Sequence, residues 1–335
     1  MKTAEKISYF FMIAMLLVTV IFHLAHVMLA SLFAFMLMEF FFRLIKKMRL
    51  PDFPARTATA IAFLLAVAVV AVVFVKFLKQ TLLTFPGIVE SALPQVSALA
   101  QRYGIELPFS SFGELRELLN SRILGHALTI TKASTFLTRE AFHIAIGIVA
   151  VVLFFISGKP PQYCPNLFDA VRRETNRRIR KFMHSFERVF GAQIIISSIN
   201  AVLTMAFLYI TGIPHLAFLT TMTFLIGIIP ILGNIISNSV IAITALGISF
   251  NLAMVVLAYL VIIHKLEYFL NSKIMGSSVR LPMWQMLLAI LLGNVIMGVS
   301  GIMLAPALLH YIKSELKSIP WKTPGSPADR KQCPE

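Results

Sequence analysis

Apolar residues run almost unbroken from Ile7 to Ile45, too long a stretch for one crossing of a bilayer, which takes about 20 residues. His23-Leu24-Ala25-His26 interrupts the middle of the run and predicts a helical hairpin turning there. Lys2 and Lys6 precede the run, and Arg43, Lys46, Lys47 and Arg49 follow it. Basic flanks mark cytoplasmic ends, so both ends of the hairpin are expected on the cytoplasmic side. A cleaved signal peptide also opens with lysines and an apolar core. Here no small-x-small site with polar flanks follows Val20, and hydrophobicity resumes at once.

Beyond Pro51 and Pro54 a third span is expected from Thr57 to Phe77, with Lys76 and Lys79 free to snorkel from its outer end. Residues 1–80 thus read as a hairpin plus one span. Segment 81–139 has scattered charges, Pro86, Pro94 and Pro108, and no long apolar run. It reads as a small extracytoplasmic helical insert, with a capping box at Ser111 to Glu114 ahead of Leu115, Leu118, Leu119 and Ile123. A fourth span occupies 140–158. In 159–190, Arg172, Arg173, Arg177, Arg178, Arg180 and Lys181 alternate with Phe168, Val171, Ile179, Phe182, Phe186 and Val189. Spacings of three and four put the apolar set on one stripe of a helix, and the pattern predicts a basic amphipathic helix on anionic lipid.

The C-terminal bundle, 191–312, opens with a span from Gln193 to Ile210. The run Leu216–Ile248 follows, broken at Gly227-Ile228-Ile229-Pro230-Ile231-Leu232-Gly233-Asn234. Proline removes a donor and clashes with the preceding turn, so two half-length helices are expected to meet there. A span from Leu252 to about His264 leads to a polar linker, Lys265 to Arg280. The last apolar run, Met283–Tyr311, is interrupted by Gly293-Asn294 and Gly298-Val299-Ser300-Gly301, and a polar tail occupies 313–335. If the linker and the tail lie on one side, both broken runs enter and leave on that side. Each is then a hairpin, either re-entrant or of two short crossings. Paired broken segments point to a transport site; close helix packing accounts for the same glycines.

Composition narrows the class. Of 335 residues, 58% are hydrophobic and only 13% charged, against about a quarter charged in soluble domains. An all-α, polytopic integral membrane helical bundle with two broken hairpins remains, while disorder and a collagen-like rod are excluded. Two cysteines, Cys164 and Cys333, build no disulfide framework. The formal net charge of +15 is read as a topology signal in cytoplasmic loops, with no nucleic-acid partner expected.

Catalytic chemistry is not indicated. The chain has no metal-ligand spacing, no nucleotide-binding glycine loop and no nucleophile elbow, so no enzyme, cofactor or metal is expected. Ionisable candidates within the apolar runs are Glu39, one helical turn before Arg43, and the pair His264 and Glu267 at a span end. Neutral polar groups are more numerous: Gln193, Asn200, Asn234, Ser237, Asn238, Asn294 and Ser300. With Gly227, Pro230, Gly233 and Gly301 at the breaks, these are the candidate lining of a path for a small polar solute or a cation. The two breaks are expected to meet near the midplane.

The segments Phe190-Gly191-Ala192-Gln193, Thr211-Gly212-Ile213-Pro214, Gly227 to Asn234 and Gly298 to Pro306 resemble the autoinducer-2 exporter family of bacterial permeases. One departure is Ser272-Lys273, where that family usually carries a proline. The resemblance implies a multi-spanning, homo-oligomeric permease of the bacterial inner membrane, with both termini cytoplasmic. Its members are associated with autoinducer-2 export, and others with sodium or lithium versus proton exchange.

Overall fold

The computed structural model describes residues 3–105, 113, 114, 117, 127–158, 164–230, 232–274 and 282–319. Among these there are helices and no strands: α1 (Thr3–Ile21), α2 (Ala25–Lys46), α3 (Asp52–Arg102), α4 (Ala127–Ser157), α5 (Leu167–Thr211), α6 (Leu216–Gly227), α7 (Leu232–Leu246), α8 (Phe250–Ile274) and α9 (Met283–Lys317). Among the described residues, seven helices are long and apolar enough to cross a membrane. The chain is a multi-pass membrane protein whose side chains face two ways. Tyr209, Ile210 and Val295 stand 78–81% exposed, a disposition that suits lipid rather than water.

The expected first hairpin is present. His23, at φ 53° in the left-handed region, ends α1, and α2 starts two residues later. Three expected boundaries are replaced by continuous helix. The third span does not stop at Phe77. α3 runs on through Pro86 and Pro94 to Arg102, roughly 77 Å at 1.5 Å per residue, against a hydrocarbon core of about 30 Å. Residues 81–102 are therefore helix continuous with that span, and Ile88 among them is buried with Phe77. The capping box at Ser111 lies outside the described residues. The basic segment is likewise the first half of α5, which continues without a break into the fifth span. α8 carries Lys265 and Glu267 on helix and ends at Ile274, inside the expected linker.

Both broken runs are helical hairpins. α6 and α7, about 18 and 22 Å long, are each too short to cross alone. In α9 the backbone leaves helical geometry at Gly298 (φ 60°, ψ −145°). A Cβ on Gly293 would lie 2.5 Å from the Gly301 carbonyl oxygen and 2.8 Å from the Ala305 Cβ. In a straight helix, residues eight apart are separated by about 12 Å. The arms 283–297 and 299–317 are thus folded against each other, and glycine at 293 and 301 permits the close approach.

The chain divides into two units. One comprises residues 1–60, 144–192 and 271–335, the other 61–143 and 193–270. In the first unit Phe33 packs edge-on to Phe186 and Phe190, at centroid distances of 5.1 and 4.9 Å. Arg56 donates to the Phe155 carbonyl at 2.7 Å. The first unit also holds a buried charge cluster. Arg178, 1% exposed, ion-pairs with Glu315, donates to Ser8 Oγ at 2.9 Å, and lies 3.5 Å over the Tyr9 ring. Lys181 Nζ meets the other Glu315 oxygen at 2.9 Å, and Tyr9 donates to Glu315 at 3.0 Å.

Arg178 was expected at a lipid surface with its neighbours, and the structure corrects this. Its side chain points between α1 and α9, whereas Arg172, Arg173, Arg177 and Arg180 are exposed. Lys181 is half-buried and held by Glu315. In the second unit the core is apolar, built from Phe77 and Ile88 of α3, Leu208 of α5, Phe218 and Met222 of α6, Ile241 of α7 and Val256 of α8.

Removing Glu315 strands a buried guanidinium. Glu315→Leu is expected to cost about 3–5 kcal/mol and to lower the unfolding temperature in detergent. The double change Arg178→Leu with Glu315→Leu should recover most of that loss, which a double-mutant cycle measures.

Candidate transport site

Along α5, Gln193, Ser197, Asn200 and Thr204 recur at intervals of four, three and four residues, so they share one face. All four are buried, between 1% and 8% exposed. In most helices here Ser and Thr hydroxyls bond the carbonyl one turn back, as Ser198 does to Ile194 and Thr211 to Phe207. The α5 face behaves differently. Gln193 Nε2 donates to the Gly227 carbonyl at 2.7 Å, and Ser197 Oγ to the Phe224 carbonyl at 2.7 Å. Thr204 and Tyr259 hydroxyls lie 3.3 Å apart. The carbonyls at the end of α6 are thereby met from α5.

These bonds fix an antiparallel register between α5 and α6: as α5 advances from 193 to 197, its α6 partner recedes from 227 to 224. The same register sets Asn200 level with Thr220. Asn200 Oδ1 and Thr220 Oγ1 are both buried and have no hydrogen-bond partner among the described residues. Buried polar atoms are nearly always satisfied, so each of these two leaves a hydrogen-bonding position to be filled.

The break itself is a run of tight turns. The Ile229 N–H donates to Ile226, Leu232 to Pro230 and Gly233 to Ile229. Glycine is required at 233, where a Cβ would collide with the Ile226 carbonyl and lie 2.8 Å from the Gly227 Cα. From the start of α7, Asn234 donates to Glu267 Oε2 of α8 at 2.5 Å. Ser237, one turn on, is buried and bonds back to the Gly233 carbonyl at 3.0 Å, and Asn238 is half-buried beside it. Glu267 was expected at a span end and lies in the last turn of the candidate span Phe250–Leu270, where it meets the break, while His264 on the same helix is exposed.

Of the candidate path residues, Gln193, Gly227, Gly233, Asn234 and Ser237 are brought together, with Pro230 in the turn. Asn200 lies two turns along the same α5 face from Gln193. Thr220 and Thr223 were not singled out by sequence; the 193, 197, 200 and 204 spacing is the signal that leads to the helix facing it.

The remaining candidates belong to the first unit. Asn294 is exposed on the first arm of α9, and Gly301 is buried in the hairpin. Ser300 lines a cavity of about 50 Å³ with Thr19, His23 and Met297, room for a water molecule. Glu39 is half-buried and accepts from Arg43 Nε at 3.2 Å, and Arg43 also reaches Glu187 at 3.3 Å.

Residues 9–321 match a family model described as AI-2E family transporter. The chain belongs to the AI-2E family of transporters. It is 32% identical over 136 residues to the "Putative transport protein YdbI" of Bacillus subtilis (strain 168); the aligned stretch covers 39% of this chain and 38% of that protein's length. Gly227 to Asn234, one of the segments on which the resemblance to this family was expected, forms the turn next to the carbonyls that the α5 amide and hydroxyl meet.

Because Gly233 sits against backbone, Gly233→Ala is expected to destabilise the hairpin by at least about 1–3 kcal/mol, the usual cost of overpacking. Gly191 in α5 has open space where a Cβ would go. Gly191→Ala should be neutral or stabilising by about 0.5–1 kcal/mol. Thermal unfolding of the two variants in detergent separates the cases.

Proposed function

We propose that this AI-2E family member is a permease that exports a small neutral polar solute, with its path along the α5 polar face and the break between α6 and α7. The observation that carries the reading is the buried pair Asn200 and Thr220, unpartnered among the described residues and placed between the Gln193 bond and the Thr204–Tyr259 contact. A hydroxyl- or amide-bearing solute supplies both missing partners at no charge cost. Asn234 stands at the head of that face and offers the solute an entrance. Irregular backbone at membrane depth persists where protein buries it or water lines it, and the break meets the first condition through Gln193.

A second reading, Na⁺(Li⁺)/H⁺ exchange, is favoured by one observation: Glu267 places a carboxylate at the break. Glu267→Gln separates the readings. Under solute export the variant retains solute flux in proteoliposomes. Under exchange it loses proton-coupled cation flux. A non-transporting scaffold predicts no flux of either kind from the unaltered protein.

For solute export, Asn200→Leu and Asn234→Ala should each reduce flux at least about tenfold, the loss of one well-placed polar contact to solute. Asn238→Leu should do the same if that side chain faces the path. Expression and assembly, read by size-exclusion chromatography, should stay unchanged. Normal flux in Asn200→Leu would remove the α5 face from the path.

The proposed setting is a bacterial inner membrane, with both termini cytoplasmic, anionic lipid around the basic face of α5, and a homo-oligomeric assembly. Cys164 is exposed and unpaired and serves as a reporter once Cys333 is replaced by Ser. In intact cells an impermeant maleimide should leave Cys164 unlabelled, and permeabilisation should expose it. Labelling from outside would reverse the orientation.

A further inference from the structure

A second polar site lies in the first unit, apart from the break. Between the basic half of α5 and the second arm of α9 is a cavity of about 560 Å³, within the range of small-molecule sites. From α5 it receives Arg180, His184 and Arg188, on one helical face. From α9 it receives His310, Ser314 and Lys317, spaced by four and three residues and so on one face as well.

Three of the five Lys and Arg side chains at this cavity have no counter-ion among the described residues. Arg177 and Lys181, also at its wall, are answered by Glu174 and Glu315. Arg180, Arg188 and Lys317 make no ion pair among the described residues, and no carboxylate lines the cavity. The nearby acids are engaged elsewhere: Glu315 faces Arg178 and Lys181, and Glu187 faces Arg43. Three unmatched cations around one concavity repel each other, and an anion of matching size relieves that repulsion.

An independent observation points the same way. His310 is 95% buried, being 5% exposed, and it lines the cavity with Nδ1 unpartnered among the described residues. A buried imidazole nitrogen without a partner costs stability unless a ligand or water meets it. Ser314 adds a hydroxyl on the same face.

We infer that this cavity is a binding site for a phosphate-bearing anion, held by Arg180, Arg188 and Lys317, with His310 and Ser314 completing its hydrogen bonds. Guanidinium pairs match phosphate oxygens bidentately. The cavity admits either a phospholipid headgroup or a soluble phosphate compound. The site is independent of the solute path proposed above, since it shares no residue with the break.

The test uses the purified full chain in neutral detergent, with its unfolding temperature as the readout. One arm titrates inorganic phosphate against chloride at equal ionic strength. The other adds phosphatidylglycerol against an equal mole fraction of phosphatidylcholine. A ligand that binds the folded state raises the unfolding temperature in a saturable manner. The expected result is stabilisation by at least one phosphate probe over its control. Arg180→Gln with Arg188→Gln should raise the half-saturating concentration at least about tenfold, from the loss of two charge-assisted bonds. Stabilisation by phosphatidylglycerol alone identifies a lipid headgroup; stabilisation by inorganic phosphate identifies a soluble anion. If the double variant does not assemble, Lys317→Gln, at an exposed position, carries the same comparison. The inference is overturned if neither probe exceeds its control, or if the assembled variants titrate like the unaltered chain.

Discussion

A helix that stops inside hydrocarbon leaves carbonyl groups that no water can reach, and each unmet group costs several kcal/mol. At the break after Gly227, Gln193 and Ser197 reach across from α5 to meet the Gly227 and Phe224 carbonyls. Other features of the second unit follow from those two bonds. They set the register of α5 against α6, hold Gly227 where Gly233 can pass close to it, and bring the start of α7 within reach of Glu267. Gly and Pro permit the turn; the α5 amide and hydroxyl make it sustainable.

The first unit solves its packing differently. Its α9 hairpin turns at Gly298 and closes with Gly293 against Gly301 and Ala305. Its polar interior is ionic, gathered on Glu315. A buried ion pair is weak ground for stability, because desolvation offsets much of the attraction. With Ser8, Tyr9 and Lys181 all bonded into the cluster, the arrangement of α1, α5 and α9 satisfies each of these members.

Hydropathy located what hydropathy measures. The hairpin at His23, the breaks at 227–234 and 298, and the short helices around them were legible, because Gly, Pro and polar residues interrupt apolar runs there. The places where α3, α5 and α8 leave the apolar region were misread as helix ends. Composition changes where the surroundings change from lipid to water, and a helix has no need to end at that border. Pro86 and Pro94 did not break α3, and Lys265 did not end α8. Two site features depended on partners distant in the chain. Arg178 and Arg180 look alike in sequence, and only Glu315 distinguishes them. Glu267 reads as a solvated end until the fold places it beside Asn234.

The Arg178 cluster also has a bearing on biogenesis. Arg178 and Glu315 are 137 residues apart, so at about 5–20 residues per second the arginine waits on the order of ten seconds for its carboxylate to be synthesised. During that interval the Arg178 guanidinium has no Glu315 to pair with. The first unit can therefore close only after the chain is almost finished, when the second arm of α9 emerges. A chain that stops before residue 315 leaves Arg178 without the carboxylate that meets it in the finished protein.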